Sequence, residues 1–172
     1  RFVKSFEEQS LRLADSVFGQ TVSGKWVYQS EVIDYVEEDL FMAPDLSTIR
    51  KIPWNKEPTA QIICDLNYPS GEPSKIAPRQ VLKNIIRQLS EENLRAVVAP
   101  ELEFYLCEQN LDPDLPLKTP VGKSGRRETG SRVFGIDAVN EFDKLTDDIY
   151  DYCELMNIGV DTLVHESGPS QI

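Results

Sequence analysis

Two glutamates one residue apart stand inside an apolar run, Val97-Val98-Ala99-Pro100-Glu101-Leu102-Glu103-Phe104-Tyr105-Leu106. The flanking β-branched and aromatic residues favour extended backbone, so the segment is expected to be a buried strand. Successive strand side chains point to opposite faces. Glu101 and Glu103 would then project together, with Leu102 and Phe104 packed on the other side. Two ionised carboxylates on one face of a buried strand repel each other and lose hydration. A divalent cation offsets that cost, because hard oxygen ligands suit Mg²⁺ or Mn²⁺. The competing reading is a solvated sheet face on which both glutamates pair with lysine or arginine.

The charge balance points the same way. Against 29 acidic residues stand 18 basic ones, a net charge of −11 over 172 residues. Such a field disfavours nucleic acid and anionic membrane surfaces as partners. It tolerates metal cations and cationic or amine substrates, and phosphates where metals intervene. The three cysteines, Cys64, Cys107 and Cys153, are far apart and odd in number, with no C-x-x-C pair. That argues for a reducing compartment over a disulfide framework. With no long apolar run and no signal-peptide pattern, a cytoplasmic location is expected. The chain opens on Arg1 and stops at Gln171-Ile172, directly after an expected strand and turn, and so reads as part of a longer protein.

Periodicity divides the chain near its proline- and glycine-rich stretch at 71–77. Before it, a short helix is expected over residues 3–14 and a hairpin over 16–31 turning at Gly19 or Gly24. Strands are expected over 47–52 and 60–66, with a turn over 69–73. After it, Pro78 suits a first helical turn, and Val81, Leu82, Ile85, Ile86 and Leu89 form one apolar face of a helix over 78–92. The glutamate strand follows, then a long loop over 110–132, a helix over 139–156 and a strand over 160–165 ending at Glu166. A strand–helix–strand crossover of this kind predicts parallel neighbours. It also makes Glu166 a third candidate ligand beside Glu101 and Glu103, since Mg²⁺ takes oxygen donors and keeps positions for phosphates.

Other polar residues have plainer explanations beside functional ones. His165 is the only histidine; packing is the reading preferred over a ligand or a proton carrier. Asp15 and Asp45 read as turn or cap residues. Arg79, just inside a helix start, suits either an anion or a surface pair with Glu91 or Glu92. Lys118, Lys123, Arg126 and Arg127 form a basic cluster that reads as a solvated loop or as a contact for an anionic ligand. Neither G-x-G-x-x-G nor G-x-x-x-x-G-K-[ST] occurs.

Taken together, several separated segments resemble the glutamine synthetase family. They are Pro44-Asp45-Leu46-Ser47-Thr48 with Ile52-Pro53-Trp54, Pro78-Arg79-Gln80-Val81-Leu82, Glu101-Leu102-Glu103-Phe104-Tyr105-Leu106, and His165-Glu166-Ser167-Gly168-Pro169-Ser170-Gln171. The surroundings of Glu101 and Gly168 are most similar to the branch that includes γ-glutamylpolyamine synthetases, with glutamine synthetase itself the near alternative. The resemblance implies an α+β chain. Residues 1–74 would be a small β-grasp-like amino-terminal domain, and 75–172 the incomplete start of the catalytic α/β domain.

The implied activity is ATP-dependent ligation of the γ-carboxylate of glutamate to ammonia or an amine through a γ-glutamyl phosphate. Glu103 and Glu166 would hold one Mg²⁺ or Mn²⁺ and Glu101 would help hold a second. Asp15 would attract ammonium or the amine from a neighbouring subunit of a homo-oligomer. Ser170 stands where the family usually has glycine, and Phe134 where relatives often carry tyrosine. The family's later metal, ATP and glutamate residues are not in these 172 residues, so the chain alone is expected to be inactive. The alternative is a non-catalytic relative that binds ligands or serves a structural role.

Overall fold

The structure, a computed structural model, describes residues 11–27 and 37–172. Its contacts divide the chain into two compact units, Arg1–Arg50 with Ala60–Val98, and Lys51–Thr59 with Ala99–Ile172.

The first unit is built on a three-stranded antiparallel sheet. Its strands are β1 (Arg12–Ala14), β2 (Asp39–Pro44) and β5 (Cys64–Asn67), in the order β1-β2-β5. A second, two-stranded sheet joins β3 (Arg50–Lys51) and β4 (Ala60–Gln61). In the larger sheet Leu13 faces Leu40, and Met42 faces Leu66. Leu40, on the central strand, is fully buried. Arg12 lays its guanidinium 4.7 Å over the Phe41 ring and pairs with Asp39 at 3.3 Å.

Of the helix expected over 3–14, residues 3–10 lie outside the described residues, and 12–14 are strand. The alternation Leu11-Arg12-Leu13 has a period of two, and β2 supplies the ladder partner. Asp15–Gly19 is a 3₁₀ turn rather than a strand. A tight hairpin follows, closed by the antiparallel bridge between Gln20 and Trp26. Its turn uses Gly24 at φ 76°, a backbone state open to glycine at little cost. Residues 28–31 of the expected hairpin are outside the described residues.

The strands expected over 47–52 and 60–66 are each interrupted, for an identifiable reason. Asp45 Oδ1 accepts from the Ser47 N–H at 3.1 Å and the Ser47 hydroxyl at 2.6 Å, which winds Leu46–Thr48 into a 3₁₀ turn. The Thr48 hydroxyl in turn accepts from the Ile63 N–H at 2.9 Å, between β4 and β5.

Helix α1 (Pro78–Glu91) begins with proline at its first turn, as expected. Asn93, at φ 58°, terminates it. Arg79 does not pair with Glu91 or Glu92. Its guanidinium donates to Asp45 Oδ2 at 2.5 Å and Asp65 Oδ1 at 2.9 Å. Helical side chains lean toward the amino end, which carries an arginine in the first turn back to the strand ends. Lys83 adds a bond to Asp65 at 2.6 Å.

In the second unit the helix expected over 139–156 is two helices, α2 (Ile136–Asn140) and α3 (Asp143–Leu155). The backbone leaves helical geometry at Phe142 (φ −125°, ψ 33°), just after Glu141, whose backbone carbonyl and carboxylate accept from the Lys123 and Ser124 N–H groups, each at 3.0 Å. Those donors belong to a tight turn inside the long loop, closed by the bridge between Val121 and Arg127 with Gly125 at φ 78°. Two members of the basic cluster are committed within this unit, Lys123 to Asp143 at 2.7 Å and Arg127 to Glu108 at 2.5 Å. Trp54 rests against Tyr152 of α3 with ring centroids 5.6 Å apart.

Neither 97–106 nor 160–165 forms a regular strand, and the run around the glutamates is not buried. Val97 and Leu102 are 90% and 86% exposed. Residues 104–106 pair instead with 170–172, running antiparallel. Phe104 and Ile172 exchange N–H···O bonds of 2.8 and 2.9 Å, and the Leu106 N–H donates to Ser170 at 2.8 Å. The expected parallel neighbour is absent among the described residues because the chain reverses at Ser167-Gly168-Pro169. Extended backbone needs a hydrogen-bonded neighbour before it becomes sheet, and here the pairing is confined to these few residues.

Two predictions follow from this packing. Leu40→Ala is expected to cost about 2–5 kcal/mol, read from urea unfolding, because it leaves a cavity in the centre of the sheet; an unchanged midpoint would contradict the buried placement. The Asp45 carboxyl is held at about 2, below its ordinary 3.8, first by the Ser47 hydroxyl and then by Arg79. Its lowered value makes ionised Asp45 stabilising above about pH 4, and that contribution disappears as pH falls through about 2. Carbon NMR titration should find its midpoint near 2 and Ser47→Ala should move it upward; no movement would remove the assigned cause.

Candidate metal-binding site

Glu101, Glu103 and Glu166 each offer a carboxylate oxygen, and the three oxygens lie within 4.8 Å of one another. The structure thus brings together all three glutamates singled out from the sequence. It corrects their environment: Glu101 and Glu103 are exposed and Glu166 is half-buried. Among the described residues no lysine or arginine forms an ion pair with any of them. Three like charges this close repel, and exposure to water moderates the repulsion without cancelling it.

Gln171 organises the cluster. Its Nε2 donates to Glu103 Oε2 at 2.8 Å, and its Oε1 accepts from the Gly168 N–H at 2.8 Å. Its backbone carbonyl accepts from the Glu166 N–H at 2.8 Å. One residue therefore touches both Glu103 and Glu166. The turn beneath it depends on Gly168: a Cβ there would lie 2.5 Å from the Tyr105 ring and hydroxyl. Any side chain at 168 displaces that ring.

His165 is fully buried, in keeping with the packed reading. Its Nδ1 lies 2.8 Å from the Glu166 carbonyl and its Nε2 2.7 Å from Glu128 Oε2. The same Glu128 oxygen accepts from the Ser170 N–H at 2.5 Å. Sequence reasoning missed Glu128, which sits in a stretch without periodicity. The available signal was that it is the single carboxylate between Asp114 and Asp137. Ser170 has φ 58°, the left-handed region that favours glycine. Phe134, also left-handed at φ 56°, donates its N–H to the His165 carbonyl at 2.9 Å.

Asp15 is not a member of the cluster and belongs to the first unit. It is buried at the start of its 3₁₀ turn, and its Oδ1 accepts from the Glu38 N–H at 3.2 Å.

The donor set fits a hard divalent cation. In an octahedral Mg²⁺ site with bonds of about 2.1 Å, opposite oxygens stand about 4.2 Å apart. Neighbouring oxygens in such a site stand about 3.0 Å apart, so three carboxylate oxygens within 4.8 Å of one another reach a common ion by a small rotation of exposed glutamate side chains.

The catalytic-domain model of glutamine synthetase matches residues 75–172, more than half of the chain. The chain belongs to the glutamine synthetase family. Over 91% of its length it is 30% identical to γ-glutamylputrescine synthetase of Escherichia coli strain K12, covering 34% of that protein. Over 87% of its length it is 30% identical to glutamine synthetase of Methanocaldococcus jannaschii, covering 32%. A stretch of 73 residues is 36% identical to a glutamate–isopropylamine ligase of a Pseudomonas species. The chain thus spans about a third of the length of the first two relatives. Among solved structures it superposes on a glutamine synthase homologue with a TM-score of 0.67 at 14% identity, covering 98% of this chain and 37% of that one. A GmaS complex with ADP gives 0.62 at 18% identity, with 98% and 35% covered. Among the described residues no helix is long and apolar enough to cross a membrane.

Ser170 offers a test of the turn. Its Oγ is buried without a hydrogen-bond partner among the described residues, and its backbone is left-handed. Ser170→Gly is therefore expected to stabilise the chain by about 1 kcal/mol, read from urea unfolding. Destabilisation by the same substitution would contradict the assigned backbone.

Proposed function

We propose that the complete protein is an ATP-dependent ligase that joins the γ-carboxylate of glutamate to ammonia or an amine through a γ-glutamyl phosphate. The observation that carries this reading is the convergence of Glu101, Glu103 and Glu166 in a chain of this family. Glu103 and Glu166 hold one divalent cation and Glu101 helps to hold a second, Mg²⁺ or Mn²⁺. When bound, such ions neutralise the phosphate oxygens of ATP and polarise the group being transferred. Gln171 keeps Glu103 oriented for that task. Asp15, supplied by a neighbouring subunit, attracts the ammonium or protonated amine and accepts its proton, so that a neutral nitrogen attacks.

The similarity to γ-glutamylputrescine synthetase and to the isopropylamine ligase supports an organic amine, a polyamine among them, over ammonia alone as acceptor. The catalytic-domain match beginning at residue 75 supports a division into a β-grasp-like domain over 1–74 and the start of the catalytic domain over 75–172. The working form is a cytoplasmic homo-oligomer with active sites shared between subunits. The 172-residue chain alone, a third of its relatives' length, is inactive. Ser170 and Phe134 favour the second reading, a non-catalytic relative that binds ligands.

Phosphate release by the complete protein, with ATP, glutamate, Mg²⁺ and a panel of ammonia, putrescine, isopropylamine and ethanolamine, separates the two. Release that requires both glutamate and an amine is expected, falling about 100-fold or more in Glu103→Ala. Release independent of every amine would overturn the ligase. Titration calorimetry with Mn²⁺ should show the same variant binding more weakly, and equal affinity would remove Glu103 from the site.

A further inference from the structure

We infer that Glu128 is a positioning residue for the carboxylate cluster: one buried oxygen clamps both ends of the turn that carries Glu166. The inference rests on the metal-site reading above and assigns the part of the chain that holds that site in shape.

The proposed ligands are exposed, so packing does little to fix where they point. Glu128 is different. Its side chain is only 8% exposed, although the loop around it is largely solvated. Its backbone is held, since its carbonyl accepts from the Thr119 hydroxyl at 3.0 Å, and Arg127 beside it donates to the Thr119 carbonyl and to Glu108. From that anchored position Oε2 reaches the Ser170 N–H at 2.5 Å and His165 Nε2 at 2.7 Å. These two contacts bracket Glu166 and the Ser167-Gly168-Pro169 reversal.

Hydrogen-bond accounting fixes the imidazole. The Glu166 carbonyl, 2.8 Å from Nδ1, can only accept, so Nδ1 carries a hydrogen. At the other end of the ring Nε2 lies 2.7 Å from Glu128 Oε2, the oxygen that also accepts from the Ser170 N–H. The ring is thus held at both nitrogens and cannot turn without losing a bond. Along one arm the clamp runs from Glu128 through His165 to the backbone of Glu166. Along the other it runs through Ser170 to Gln171, which grips Glu103 at 2.8 Å. The Ser170 arm also holds a left-handed backbone that a non-glycine residue would otherwise leave.

Groups that orient metal ligands without touching the ion typically account for 10- to 100-fold in affinity. The test measures Mn²⁺ binding to the complete protein by electron paramagnetic resonance of the free ion. Wild type is compared with Glu128→Ala, Glu128→Gln and, as a destabilised control remote in sequence from the cluster, Leu40→Ala. Proton–nitrogen NMR of the His165 imidazole reports the clamp directly. Glu128→Ala is expected to weaken Mn²⁺ binding roughly 10- to 100-fold and to remove the downfield His165 N–H resonance. Glu128→Gln, which keeps an acceptor for the Ser170 N–H, should lose less, and it stands in if the alanine variant does not fold. Leu40→Ala should stay within about twofold of wild type. Mn²⁺ affinity unchanged in both Glu128 variants, or lost equally in Leu40→Ala, overturns the positioning role alone. A complete wild-type protein that shows the His165 resonance but binds no Mn²⁺ overturns the metal reading as well.

Discussion

The candidate site depends on the short antiparallel pairing of residues 104–106 with 170–172. Three backbone hydrogen bonds hold it, and they set Gln171 beside Tyr105. From there the Gln171 amide reaches Glu103 and its carbonyl takes the Glu166 N–H. Each bond is worth only about 1 kcal/mol net, yet together they oppose the mutual repulsion of three carboxylates. The proposed ligands are neighbours because neutral backbone pairing overrides their charges.

Part of this was legible in the sequence. Glu101 and Glu103 are one residue apart, and extended backbone puts such residues on one side whether or not a sheet forms. Glu166 came from a strand end and a turn, and its role from family resemblance rather than from spacing. The helix beginning at Pro78 was legible too, since a proline and a one-faced apolar repeat need no tertiary information. The helix over 139–156 was legible as helix but not as two helices, because the break comes from Lys123 and Ser124 binding Glu141 across the chain.

What could not be read were the long-range partners. The apolar run around Glu101 has the composition of a buried strand, yet propensity describes the local backbone and says nothing of the neighbour that would complete a ladder. Glu128 meets His165 across 37 positions, from a loop with no period. Arg79 chose Asp45 and Asp65, 34 and 14 positions away, over glutamates on its own helix. In each case a polar group was won by geometry that only the folded chain supplies. The catalytic-domain match over 75–172 places the chain, and not these particular contacts, in the glutamine synthetase family.

Helix α1 turns Val81, Leu82, Ile85 and Ile86 outward, each about half exposed, on a chain carrying −11 charges. Apolar stripes of this kind attract one another at contact, whereas like-charged molecules repel over the Debye length, about 30 Å at 0.01 M salt and about 8 Å at 0.15 M. Added electrolyte collapses the repulsion and leaves the greasy stripe untouched. The isolated chain is therefore a better colloid in dilute buffer than in brine, and purification by salting steps works against it.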